Sequence, residues 1–95
     1  MNTKQKNKIK ALANYLNLSD DASCTIMGHT DSAWSDESNM RLGKKRAEFT
    51  KRKLLEYKVD RAKIKTISKG ETDPIATNKT ENGKAQNRRT EVIIN

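Results

Sequence analysis

Over residues 26–47, IMGHTDSAWSDESNMRLGKKRA, an alternating strand pattern ends in Gly-His-Thr-Asp, crosses a polar loop and resumes as a helical stripe. A strand that feeds a helix in this way belongs to a two-layer α/β arrangement, in which the loop past the strand end presents ligand-binding groups. Gly28 allows a sharp turn or a close approach of another segment. Thr30 and Asp31 then place a hydroxyl and a carboxylate just beyond the strand. Arg46 lies one helical turn past Leu42, where its guanidinium can meet that carboxylate, or a ligand's, bidentately. Thr50, one turn further, shares its face. An Asp and an Arg facing one cleft suit a zwitterion, with the ammonium on Asp31 and the carboxylate on Arg46. The plainer reading is that Arg46 pairs with Asp31 and pins loop to helix, and without ligand both readings hold. With a helix over residues 40–57, Arg46 sits near the N-terminal end, where the macrodipole disfavours a cation unless an anion compensates.

The flanking segments complete two layers. Ile9, Leu12, Ala13 and Leu16 recur at helical spacing, while Lys4, Lys6, Lys8 and Lys10 fall on the other side, which reads as a solvated face rather than a membrane or nucleic-acid contact. Residues 64–68 and 89–95 read as strands. Residues 69–86, with Asp73-Pro74 and Asn82-Gly83, read as an irregular excursion rather than a helix. Arg88 reaches the same sheet end as Asp31 if the last strand runs antiparallel to the one carrying Cys24. Of Arg88 and Arg89, one is expected at that site and the other on the backbone of the loop. His29, the single histidine, is expected to make a loop-stabilising hydrogen bond rather than to bind metal. Ser35, Asp36 and His29 are the residue types of a nucleophilic triad, but their spacing resembles no nucleophile elbow. The Trp34 indole either stacks on a sugar ring or folds back as a local anchor, and both readings stay open.

Ninety-five residues suffice for one small domain, and with 33% apolar residues its core must be modest. The net charge of +8 favours anionic partners: nucleic acid, acidic lipid or a carboxylate-rich wall polymer. A nucleic-acid-binding domain is the alternative reading; the spread of basic residues and the 4% aromatic content weigh against it. Cys24 is expected as a buried thiol. No apolar run approaches membrane-spanning length, and MNTKQKNKIK lacks the apolar centre of a signal peptide, so an export signal or anchor is expected to be absent from this chain.

Gly28-His29-Thr30-Asp31, then Asn39, then Leu42-Gly43 with Arg46-Ala47, and finally Asn87-Arg88-Arg89, resemble the signature of the OmpA-like peptidoglycan-binding domain, also found in MotB and Pal. The similarity runs over residues 9–94, with four motifs in matching order. The resemblance implies a single α/β (α+β) domain over residues 1–95, a two-layer sandwich of two main helices on a small mixed sheet. It implies a noncatalytic module, without cofactor or metal, that anchors an envelope protein to the cell wall in the periplasm, in association with the outer membrane. The implied ligand is the diaminopimelate residue of the peptidoglycan stem peptide, with Asp31 on its ammonium and Arg46 on its carboxylate. Thr30, Asn39, Thr50 and Arg88 would complete the pocket. Trp34 departs from the family, which often has Gly near this position. Such domains begin with a strand ahead of the first helix, paired with the last strand. This sequence opens on the helix, as an N-terminally truncated domain would, so residues 89–95 are expected as an exposed edge. That edge invites a homodimer, or else the pocket is weakened.

Overall fold

A computed structural model describes residues 2–95. Its first helix, α1 (Thr3–Leu18), starts at Asn2, whose side chain accepts from the Gln5 amide at 2.8 Å while Gln5 Oε1 accepts from the Asn2 amide at 3.2 Å. This reciprocal cap satisfies two donors that a helix start leaves free. Ala13 and Leu16 are buried, Ile9 and Leu12 pack half-buried beside them, and Lys4, Lys6, Lys8 and Lys10 are exposed, as their spacing predicts. At the other end the Lys63 ammonium donates to the Leu16 and Ser19 carbonyls at 2.6 and 2.8 Å.

The sheet has the order β2-β1-β3, with β1 (Cys24–His29) in the centre. β2 (Ile64–Gly70) runs parallel to β1 and β3 (Thr90–Ile94) antiparallel, so the sheet is mixed and Ile26 sits between Thr66 and Val92. The parallel pair requires a crossover, and α2 (Asp36–Glu56) with a 3-10 turn at Arg61–Lys63 supplies it. Three helices thus pack on a three-stranded mixed sheet among the described residues.

Two expectations about these elements are corrected. α2 begins at Asp36, earlier than residue 40, because the Ser35 hydroxyl caps it by accepting from the Ser38 amide at 3.1 Å and Asp36 and Glu37 occupy its positive end. Arg46 therefore lies almost three turns inside the helix, where the end dipole no longer bears on it. Residues 69–86 are not wholly irregular: α3 (Glu81–Asn87) forms within the stretch that Asn82-Gly83 marked as a turn. Thr80 caps it through a hydroxyl that accepts from the Gly83 amide at 3.0 Å. Gly83 is there for space, since any Cβ would collide with the Thr77 backbone.

α2 lies unusually close to the sheet. Asn39, Gly43, Ala47, Thr50 and Leu54 form its buried stripe, small residues except at the ends. A Cβ on Gly28 would run into the Gly43 carbonyl, and a Cβ on Gly43 would stand 2.7 Å from the Gly28 carbonyl oxygen. Strand and helix therefore meet backbone to backbone. Leu16, Cys24, Ile26, Ala47, Leu54, Val59 and Ile64 close the core beneath this contact. Burial pushes the Cys24 thiol up, which keeps it protonated and inert.

The loop between β2 and α3 hangs on buried Asn87. Its Oδ1 accepts from the amides of Ile75 (2.8 Å) and Ala76 (3.1 Å), and its Nδ2 donates to the Ala76 carbonyl (3.0 Å) and Asn78 Oδ1 (2.9 Å).

Gly28→Ala is expected to destabilise the protein by about 1–3 kcal/mol or more, since the obstacle is backbone that cannot rotate away. Asn87→Ala, which orphans buried loop amides, is expected to cost about 1–3 kcal/mol. Urea unfolding followed by circular dichroism measures both, and wild-type midpoints would contradict the packing described.

Candidate functional site

β1 ends by delivering His29, Thr30 and Asp31 to the rim of the sheet, and two backbone bonds fix their position. The His29 amide donates to the Arg89 carbonyl and the Thr30 amide to the Gly70 carbonyl, both at 2.8 Å, so both neighbouring strands hold the turn. The Thr30 hydroxyl donates to the Asp31 carbonyl at 2.9 Å and is buried within the turn.

The Asp31 carboxylate is 6% exposed and both its oxygens are engaged. Oδ1 accepts from the Ala33 amide at 2.9 Å, and Oδ2 accepts from Arg88 Nη1 at 2.7 Å. Burial alone would push the carboxyl up. The Ala33 amide and the Arg88 guanidinium outweigh it and hold Asp31 below the usual carboxylate range. Arg88 spans further, donating through Nη2 to Glu81 Oε1 at 2.8 Å. Because β3 runs antiparallel to β1, Arg88 at its foot does reach the sheet end that carries Asp31.

Arg46 approaches from α2 and donates through Nη1 to the His29 carbonyl at 2.7 Å. It makes no other hydrogen bond among the described residues, and its pairing with Asp31, one of two expectations, is taken by Arg88 instead. Burial and the Arg88 charge pull the Arg46 pKa down while Asp31 pulls it back up, so the three groups share one neighbourhood. The guanidinium remains charged at physiological pH. One carboxylate thus stands among two guanidiniums, and the Arg46 fork keeps donors that no group among the described residues takes.

Asn39 is fully buried in the first turns of α2. Its Nδ2 donates at 3.0 Å to the Trp34 carbonyl and to Glu71 Oε1, and two acceptors on that side fix the amide orientation. Its Oδ1 is buried without a partner among the described residues. Asn39 therefore joins the loop after β1 to the end of β2. The Trp34 indole is 68% exposed, so the loop is anchored by its backbone rather than by the ring.

Arg46, Thr50 and Arg88 also border an open groove of about 980 Å³ between α1, α2 and β3; Thr30, Asp31 and Asn39 do not line it. Arg88 links the two regions, lining the groove while gripping Asp31. As anticipated, the two arginines divide their work: Arg89 donates to the Asp73 carbonyl at 2.8 Å and secures the loop.

His29 departs from expectation. Its ring is buried, and Nε2 lies 3.0 Å from Glu91 Oε1 but out of line for a hydrogen bond, so neither ring nitrogen has a partner among the described residues. Its backbone, not its imidazole, stabilises the loop. Burial and the Arg89 charge lower its pKa, which keeps it neutral at pH 7. Ser35, whose hydroxyl caps α2, stands in no triad with it. Glu81 and Glu71, which hold Arg88 and Asn39, were not singled out from the sequence; Glu81 falls in the first turn of the helix that Asn82-Gly83 concealed.

Comparison with known proteins agrees with this fold. Outer membrane porin F of Pseudomonas aeruginosa is 38% identical over 87 residues, covering 90% of this chain and 25% of its own. Peptidoglycan-binding protein ArfA of Mycobacterium tuberculosis is 36% identical over 87 residues, covering 92% of this chain and 27% of its own. The crystal structure of the peptidoglycan-associated lipoprotein from Burkholderia pseudomallei superposes with a TM-score of 0.95 at 30% identity, over 100% of this chain and 80% of that one. The chain spans between 25% and 35% of the length of the first curated relatives it matches. The OmpA family model matches residues 1–88. With that match over most of its length and that superposition, the chain belongs to the OmpA family.

Proposed function

We propose that residues 1–95 act as a single noncatalytic module that binds peptidoglycan and holds the diaminopimelate residue of its stem peptide at the β1 rim. The observation that carries this reading is the Asp31 carboxylate set between Arg88 and Arg46, with Arg46 keeping unused donors. The free fork of Arg46 takes the ligand carboxylate bidentately. Each carboxylate oxygen of Asp31 has a second lone pair, and these accept from the ligand ammonium. Asn39 holds the loop after β1 against the end of β2 behind the site, Arg88 keeps Asp31 ionised and oriented, and Thr30 and Thr50 shape the two ends of the site. The names of two relatives, a peptidoglycan-associated lipoprotein and a peptidoglycan-binding protein, support the wall as partner. The site then belongs in the periplasm, in a larger envelope protein held at the outer membrane.

Hydrogen bonds to charged groups contribute about 1.5–3 kcal/mol each, so about three of them correspond to millimolar to micromolar binding. Many copies engaging one polymer raise the apparent affinity further.

Asp31→Ala and Arg46→Ala are each expected to weaken cosedimentation with purified cell wall by about tenfold or more, with folded circular dichroism retained. Wild-type cosedimentation by both variants would contradict the site. Because Asp31 titrates below its usual value of about 3.9, its carboxylate stays charged above that pH and is lost only on further acidification. Wall binding should be level from about pH 8 to pH 5 and fall below about pH 4. A fall that sets in well above pH 4 would take the titrating charge away from Asp31 and contradict this assignment.

A further inference from the structure

We propose that the Trp34 indole forms a second subsite beside the β1 rim, where it stacks on the apolar face of a sugar ring of the wall glycan while the rim holds the stem peptide; this rests on the wall-binding reading. The ring stands in the loop that leads from Asp31 into α2, and it is 68% exposed and outside the core. Its backbone, by contrast, is fixed. Asp31 Oδ1 accepts from the Ala33 amide at 2.9 Å, the Trp34 carbonyl accepts from Asn39 Nδ2 at 3.0 Å, and the Ser35 carbonyl accepts from the Asn39 amide at 2.9 Å. Three consecutive residues are tied down, the first of them to the carboxylate at the centre of the rim. A flat apolar ring carried on such a backbone loses little freedom when a ligand covers it.

The composition of the loop selects the ligand. Residues 31–40 read DSAWSDESNM, with three acids and no Lys or Arg, although the net charge of the chain is +8. A phosphate or an acidic lipid headgroup therefore finds no cation in this loop. Ser32, Ala33, Ser35, Asp36 and Glu37 flank the indole in the chain and are all exposed, so the loop offers no contiguous apolar patch for a protein partner to bury. A neutral sugar suits both facts. Its C–H face covers the ring, and its hydroxyls find hydroxyl and carboxylate partners in the same loop.

The distances agree. Trp34 follows Asp31 by three residues, which span at most about 11 Å of chain. In a stem peptide two residues separate the diaminopimelate from the sugar that bears it, about 7 Å when extended. With the diaminopimelate between Asp31 and Arg46, the first sugar ring falls within reach of the indole.

Trp34 is the single tryptophan, so its emission reports the contact directly. The purified chain is titrated with a diaminopimelate-containing stem tetrapeptide and, in parallel, with the same tetrapeptide joined to its disaccharide. The emission is expected to shift saturably to shorter wavelength with the disaccharide peptide and to stay unchanged with the bare peptide. By isothermal titration the disaccharide peptide is expected to bind about fivefold more tightly than the bare one. Trp34→Ala is expected to remove that advantage without changing the affinity for the bare peptide, and Trp34→Phe, which keeps a flat ring, to retain part of it. Equal affinity of the two ligands, unshifted emission with the disaccharide peptide, or an undiminished advantage in the Ala variant would overturn the glycan subsite and leave the wall-binding reading intact. The same emission shift with the bare peptide would assign the indole to the peptide and overturn the subsite as well. Binding of neither ligand would overturn the wall-binding reading and the subsite with it.

Discussion

The backbone contact between Gly28 and Gly43 governs what happens at the rim of the sheet. With no Cβ on either residue, α2 settles onto β1 closely enough for Arg46, less than one turn further along, to reach the His29 carbonyl. A side chain at either position would lift the helix and withdraw the guanidinium from the site. The two glycines are therefore as much a part of the site as the residues that carry charge.

Around that contact the charges are arranged unevenly. Asp31 is buried enough to need compensation, and receives it from the Ala33 amide and from Arg88, which comes from the far end of the chain. Glu81 then takes the other arm of Arg88, so a short helix and a strand foot are committed to orienting one carboxylate. Arg46 is left with a single carbonyl partner among the described residues. An arginine held in place but not satisfied is what recognition of a planar anion requires, because the positioning cost is met before the ligand arrives.

Much of this was legible in the sequence. The change of period around Gly28 located the strand, the rim and the crossover helix, and Ile9, Leu12, Ala13 and Leu16 gave the buried side of α1. The spacing of Arg46 from Asp31 placed them in one neighbourhood. Which arginine would grip Asp31 was not legible, because that depends on the long-range β1–β3 register and on Glu81. α3 was hidden because Asn-Gly is a turn signal in most settings, whereas Gly83 is required here by the approach of the Thr77 backbone. The early start of α2 was missed because Ser35, Asp36 and Glu37 read as polar loop until their roles as cap and first turn are known. Local pattern reported the elements, and contacts distant in sequence decided the partners.

The central claim is that an anion and a cation at the β1 rim hold the two ends of one doubly charged side chain. The most direct measurement is an NMR titration of the purified chain with a diaminopimelate-containing stem peptide, alongside the same peptide carrying lysine, which keeps the ammonium but lacks the second carboxylate. The account predicts saturable shifts at Thr30, Asp31, Asn39 and the Arg46 side chain with the first peptide, and much weaker ones at Arg46 with the second. Identical responses to both peptides, or shifts elsewhere with this rim silent, would contradict it.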